Sequence, residues 1–329
     1  MKQYYLVIKT ENFTVLGVVQ NVTIDLDKAT ENVSMSSSLA RNLRCFLDGR
    51  SVNLNLCGNL FFSGPYGICV TDAQYEEQAI RYIAEYLKDK KDGSLNFIKD
   101  LYHKHPLDHS GCNESGYHHF EVEPNMVLNI KSHWNNFKDY KNDLKSKYRV
   151  KVNRAETLSA DLICKEFDAE KILSHKDELQ QLLENITDKA LWKTVDLNIK
   201  VYAELKKAYS DAVIFNVYYL KETIVGFASA FQNANSLIAH FVGIDYQLNK
   251  DHSIYPRILN DYVKLSIDRK CNTLDLGRTS SEIKSTLGAV PVDLHCFVRH
   301  KRSLANLIFK PLTKKIDLPE FKQHKPFKN

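Results

Sequence analysis

The sequence predicts a mixed α/β protein made of two half-domains, each a central mixed sheet flanked by helices. Three observations lead there. The first 130 residues consist mostly of runs rich in β-branched and aromatic residues, broken by Asn and Gly. The second half alternates helical and strand periodicities, the pattern of a sheet covered by helices. Two stretches about 180 residues apart share one order of strand, glycine, loop and helix: FFSGPYG with AIRYIAEYL, and HFVGIDY with RILNDYVKL.

In the first half, YYLVIK, FTVLGVVQNVTIDL and SVNLNLCGNLFFSG read as strands. A helix follows Asp72, a candidate N-cap, because Ile80, Ile83, Ala84 and Leu87 recur at helical spacing. SLNFIKDL returns to strand, HKHPLDHSGCNESGYHH is a loop by composition, and FEVEPNMVLNI is a strand with Pro124 at a bend or edge. The basic stretch SHWNNFKDYKNDLKSKYRVKVNRAE reads as a helical connector.

In the second half, a helix beginning near Lys176 carries Leu179, Leu182, Leu183 and Ile186. DAVIFNVYYL and TIVGFASAFQ form a hairpin turning at Lys221–Glu222, and a turn at Asn233–Asn235 leads into the strand SLIAHFVGID. A helix from Ser253 to Arg269 places Ile254, Ile258, Tyr262 and Leu265 on one face, and NTLDLG and VPVDLHCFVRH are the last strands. The expected divisions are 1–131 and 157–312 for the two halves, 132–156 for the connector and 313–329 for a basic tail.

At 329 residues the chain is long enough for two average domains. No apolar run approaches the eighteen or so residues a spanning helix needs, and the start lacks the apolar core of a signal peptide, so a cytoplasmic location is expected. Seven scattered cysteines without a C-x-x-C pair point to reduced thiols rather than a disulfide framework or zinc knuckle. A net charge of +5 suits an anionic substrate or carrier and is too weak to demand nucleic acid, so no DNA partner is expected. The lysine-rich tail and SLANLIFKPLTKKI leave room for transient contact with an anionic membrane, at the inner face of a cell membrane. His103, His105, His109, His118 and His119 show no helical H-x-x-x-H pair except across Pro106, so no metal is expected.

The stretch from Gly226 to Arg299 carries an ordered motif series. It runs Val225-Gly226-Phe227, then His240-Phe241-Val242-Gly243-Ile244-Asp245, then Leu274-Asp275-Leu276-Gly277-Arg278, then Ile283-Lys284-Ser285-Thr286-Leu287-Gly288-Ala289, with the basic segment Lys145 to Glu156 upstream. In this order the pieces resemble the Fem-type branch of the GNAT acyltransferase superfamily, which includes peptidoglycan aminoacyltransferases. The match is close over the second half and holds only in outline over the first. The resemblance implies a tandem double-GNAT fold with substrate against the second unit. It also implies transfer of an acyl or aminoacyl group to an amine, less often a hydroxyl.

Such transfer needs a seat for the acyl group, stabilisation of the carbonyl oxygen's developing charge, and a destination for the amine proton. The resemblance assigns the second task to Lys284. Arg278, after Gly277 at a strand end, could grip a phosphate or carboxylate in two-pronged fashion, or hold the loop by a salt bridge. His240 is a candidate base because imidazole exchanges protons near neutral pH, and strand alternation puts it on one face with Ile238 and Val242, where a core histidine is equally expected. Asp245, just past Gly243 where chain reversal exposes side chains, is a candidate catalytic residue or a turn former. Tyr148, Arg149 and Arg154, with Lys151 between them, form a basic stretch for a phosphate-bearing carrier or a solvated helical face. Tyr255, Gly243 and Gly277 complete the expected substrate-binding set.

No tightly bound cofactor is expected. GNAT enzymes that use acetyl-CoA hold its pyrophosphate on a glycine-rich loop at a helix N-terminus, and here that loop, DYQLNKDHSIY, contains no glycine. The expected donor is therefore an acyl thioester, on acyl carrier protein before CoA, and the acceptor bears an amine. The alternatives are an aminoacyl-tRNA-dependent transferase acting on a peptidoglycan precursor, and a non-catalytic binding module that kept the fold.

Overall fold

A computed structural model of the chain describes residues 1–25, 51–90, 92–102, 110–187, 197–307 and 318–328. Its contacts divide into two units, Met1–Asn125 with Val292–Glu320, and Met126–Pro291 with Phe321–Asn329.

In the first unit, β1 (Lys2–Lys9) and β2 (Thr14–Asp25) form an antiparallel hairpin. Thr10 closes the turn, its hydroxyl accepting from the Phe13 N–H at 3.0 Å. β3 (Ser51–Cys57) pairs antiparallel with β2, and the short β4 (Ile68–Val70) pairs with the start of β2. Asp72 caps a single 3₁₀ turn by accepting from the Gln74 N–H, and α1 (Glu76–Asp89) follows. Its buried stripe of Ala79, Ile80, Ile83, Ala84 and Leu87 packs with Leu6, Val15, Val19 and Cys57. The chain then enters β5 (Leu95–Tyr102), parallel to β3. A short α2 (Ser110–Glu114) stands where composition suggested only loop, and residues 103–109 lie outside the described set. β6 (His118–Asn129) follows, and β12 (Val290–His300) pairs antiparallel with β5.

The second unit begins with the end of β6, then α3 (Phe137–Asp143) and α4 (Ser146–Leu158). β7 (Leu162–Glu166), α5 (Ala169–Ser174), α6 (Lys176–Thr187) and α7 (Lys200–Tyr209) precede the meander. That meander is β8 (Val213–Leu220), β9 (Thr223–Asn233) and β10 (Ser236–Ile244). α8 (Tyr246–His252), α9 (Ile254–Asp268), β11 (Thr273–Asp275) and α10 (Ser281–Thr286) complete it. β7, α5, α7 and α8 carry too few periodic residues to have been expected.

The internal echo is borne by topology. In the first unit β1, β2 and β3 are antiparallel, β5 joins β3 in parallel after α1, and β12 closes antiparallel. In the second, β8, β9 and β10 are antiparallel, β11 joins β10 in parallel after α9, and β6 closes antiparallel. Each closing strand comes from the other half of the sequence. This is where the observed division departs from the expected one: the boundary falls inside β6 between Asn125 and Met126, the 132–156 segment folds into the second unit, and most of the last strand belongs to the first. Local periodicity identifies a strand but not its partner.

The second unit's sheet is covered on both faces. One face carries Ile214, Tyr218, Val225 and Ala230 against Ile254, Ile258, Tyr262 and Val263 of α9. The other carries Phe215, Val217, Ile224 and Phe227 against Leu179, Leu183, Tyr202 and Ala203 of α6 and α7. Near-continuous hydrophobic runs in β8 and β9 follow from this two-sided burial.

Candidate functional site

β11 lasts three residues, and the loop after it is held by its own polar groups. Asp275 accepts from the Gly277 N–H at 2.8 Å. Gly277 has φ of +67° with open space where a Cβ would stand, so the backbone conformation rather than packing calls for glycine there. Thr279 and Ser280 follow with φ of +64° and +50°. Non-glycine residues in that region cost on the order of 1–3 kcal/mol each and persist only where the surroundings enforce them.

Lys284 braces the two residues before Thr279 and Ser280. The residue is 3% exposed. Nζ donates to the carbonyl oxygens of Gly277 at 3.1 Å and Arg278 at 2.6 Å. The Gly277 carbonyl also receives the Met126 N–H at 3.1 Å. From behind, Ser285 Oγ accepts from the His324 N–H at 3.2 Å, so the segment 321–328 is laid against α10.

A cleft of about 470 Å³ lies between α4, α9 and residues 282–287. Val152, Ala155, Leu259 and Leu287 make its apolar floor, while Tyr148, Lys151, Arg154 and Glu282 stand at its polar rim. Tyr148 Oη lies 3.2 Å from His324 Nδ1, and His324 Nε2 lies 3.3 Å from Glu282 Oε1. With Nε2 protonated toward the carboxylate, Nδ1 is the acceptor for the Tyr148 hydroxyl, giving a continuous phenol–imidazole–carboxylate chain on the cleft wall.

The N-terminus of α9 offers little to an anion. The Tyr255 N–H is taken by Asn249 Oδ1 at 2.8 Å, Pro256 has no N–H, and the Arg257 N–H returns to the Ser253 carbonyl at 2.9 Å. The segment read as a glycine-free loop is in fact α8, and Asp245 is its N-cap, accepting from the Gln247 and Leu248 N–H groups.

The structure thus sorts the residues singled out by sequence. Tyr148 and Arg154 line the cleft, and Arg149 sits beside them on α4 without lining it. Gly277 and Arg278 form the loop that Lys284 holds from its buried position. Tyr255 joins that loop: burial pushes its phenol pKa up, and a hydrogen bond with Ser280 works against the shift.

His240, Gly243 and Asp245 do not reach the cleft. Strand alternation put His240 with Val242, but a bulge in β10 between Ala239 and Val242 breaks the alternation. His240 instead faces α7, its Nδ1 2.7 Å from Tyr202 Oη and its ring against Phe231 and Phe241. Ser229 fills the bulge, donating to the Phe241 carbonyl at 2.7 Å. Gly243 is a packing residue, since a Cβ there would land on the Phe227 ring. Glu282, which lines the cleft, and His324, which bridges Tyr148 and Glu282, carried no sequence signal. Glu282 follows a turn without periodicity, and His324 lies in a lysine-rich segment that reads as a solvated tail.

Neither a protein-family model nor a curated protein sequence matches this chain. Solved structures do. FemX superposes with a TM-score of 0.58 at 10% identity, over 93% of this chain and 90% of its own. The chain has the Fem-type fold. The same Fem-type fold is shared with the C-terminal domain of a protein assigned as a lysylphosphatidylglycerol synthetase from Agrobacterium fabrum, TM-score 0.54 at 10% identity over 94% and 88% of the two chains. L-PGS from Bacillus licheniformis gives 0.51 at 10% identity over 94% and 89%. At such identity the likeness is one of fold, and it is the fold that the motif series implies.

Proposed function

We propose that this protein transfers an acyl or aminoacyl group from a carrier to an acceptor amine in the cleft of the second unit. The observation that carries the reading is the cleft itself: an apolar floor, a cationic rim of Lys151 and Arg154, and the Tyr148–His324–Glu282 chain on one wall. The floor suits an acyl chain, and the rim suits a phosphate of the carrier or acceptor. As the amine nitrogen bonds to the acyl carbonyl carbon, its proton passes to Tyr148 Oη while the phenol's own proton passes to His324 Nδ1. Glu282 then offsets the imidazolium charge, and the carrier's thiolate departs as the C–S bond breaks. Lys284 is a positioning residue in this scheme: α10, which carries it, also supplies Glu282 and Ile283 to the cleft, and its ammonium ties that helix to the Gly277 and Arg278 carbonyls.

The donor is a thioester on a carrier protein rather than CoA. Occupied and missing N–H groups at the start of α9 support this, since a pyrophosphate would need them. A second reading, with an aminoacyl group borne on tRNA, is favoured by the neighbour whose name specifies lysylphosphatidylglycerol. An acceptor in the cell envelope fits both, with the protein working in the cytoplasm or against the inner membrane face. Among the described residues no helix is long and apolar enough to cross a membrane.

The test offers purified protein acyl-carrier-protein thioesters, acyl-CoAs and aminoacyl-tRNAs with phospholipid and peptidoglycan-precursor amines, with and without ribonuclease, and reads products by mass spectrometry. Ribonuclease-insensitive transfer that falls at least tenfold in His324→Gln is expected. Ribonuclease-sensitive transfer would replace the first reading by the second. No transfer from any donor would leave a binding module.

A further inference from the structure

The first unit carries a second cluster of chemistry-bearing side chains that the transfer reaction does not use. His119 and Glu121 are two apart on β6, so both stand on one face of the strand. β12 is the neighbouring strand, and His295 stands on it beside them. One ligand atom from each of the three lies within 4.8 Å of the others. His119 Nε2 and His295 Nδ1 are 2.7 Å apart, their rings stacked at 5.0 Å and 21°.

We infer that His119, Glu121 and His295 form a binding site for a divalent transition-metal ion of the zinc class. Two imidazole nitrogens and one carboxylate are the donor set such ions prefer, whereas magnesium and calcium favour oxygen donors alone. Around a tetrahedral zinc with Zn–N bonds of about 2.0–2.1 Å, two nitrogens stand roughly 3.3 Å apart. The pair therefore has to open by only about 0.6 Å, a small rotation for the exposed His119. His295 is 5% exposed with its backbone fixed in the sheet, so its imidazole is held before an ion arrives, while the His119 ring keeps contact with Phe297 at 5.3 Å. His119 and Glu121 are exposed, which leaves a coordination position open to solvent. Sequence spacing could not show this site, because two of its ligands are 176 residues apart.

Isothermal titration of the full chain with zinc chloride in a non-chelating buffer tests it, with cobalt(II) absorption between 500 and 650 nm as the second readout. One equivalent should bind, and cobalt should give a tetrahedral spectrum. His295→Ala and His119→Ala should each weaken binding at least a hundredfold, and Glu121→Gln at least tenfold. Far-ultraviolet circular dichroism verifies that each variant is folded. A combined His103→Ala, His105→Ala, His109→Ala variant should bind as the parent does. Zinc binding that survives His119→Ala, or that is lost in the triple variant, would overturn the assignment, as would the absence of saturable binding below 100 µM. In that last case the two histidines are a hydrogen-bonded pair and nothing more. The outcome is independent of whether the cleft transfers an acyl group.

Discussion

Replacing Lys284 by methionine tests how the loop after β11 is held. The substitution keeps the stem and removes the ammonium, whose Nζ donates to the Gly277 and Arg278 carbonyls at 3.1 and 2.6 Å. Charge-assisted hydrogen bonds contribute roughly 1.5–3 kcal/mol each. Two terms reduce the loss. Gly277's carbonyl keeps the Met126 N–H at 3.1 Å, and burial of a charge is no longer needed. The net expectation is about 2 kcal/mol, or about 4–8 °C in Tm for a unit of this size. The local effect exceeds the global one, because Thr279 and Ser280, at φ of +64° and +50°, lose part of what holds them in that region once the tether is gone. Urea unfolding read by circular dichroism measures the first. Limited trypsinolysis measures the second, with cleavage after Arg278 expected to accelerate at least tenfold. Unchanged unfolding midpoint and unchanged cleavage would refute the tethering role and return Lys284 to direct contact with the acyl carbonyl.

Three further outcomes are expected. Asp143 Oδ2 accepts from Lys131 Nζ, His133 Nε2 and Trp134 Nε1 at 3.0, 2.8 and 2.8 Å. Burial pushes its carboxyl up, but the hydrogen bonds from Trp134, Lys131 and His133 outweigh that and bring it down to about 2. A lowered folded-state value means stability that is complete above the unfolded value near 4 and lost as pH falls through about 2. Discounted for partial exposure it is worth about 1 kcal/mol, so Asp143→Asn should cost that at neutral pH and flatten the acid limb of a melting curve. Gly243→Ala would drive a methyl into Phe227, whose ring is stacked on Phe215 at 5.0 Å and cannot retreat. The expected loss is about 1–3 kcal/mol in chemical denaturation. Burial pushes the Cys57 and Cys112 thiols up to about 12, while Cys69 is exposed. Iodoacetamide mapping at pH 8 should therefore modify Cys69 in minutes and the other two only as the protein unfolds.

Much of the fold was legible because its helices announce themselves. Ile80, Ile83, Ala84 and Leu87 mark α1, and Ile254, Ile258 and Tyr262 mark α9, each at 3.6-residue spacing and each buried as expected. Turns at Lys221 and Ala234 were equally readable, and both residues take positive φ. What escaped was non-local. The bulge that turns His240 away from Val242 depends on β9 supplying Ser229, and alternation within β10 knows nothing of β9. The cleft was half visible. Tyr148 and Arg154 stood out as basic and aromatic, whereas Glu282 and His324 acquire meaning only when a segment 42 residues away in sequence folds back.

The closing strands also bear on how the protein is made. β5 waits for β12, and nearly two hundred residues of synthesis separate Tyr102 from His300. At roughly 5–20 residues per second, a ribosome needs about 10–40 s to cover that distance. Throughout that interval the nascent first unit presents one side of β5 as a bare sheet edge, the kind of edge that recruits foreign strands. A trigger-factor-like holdase or slow codons after β5 would change the yield of this protein far more than its final stability.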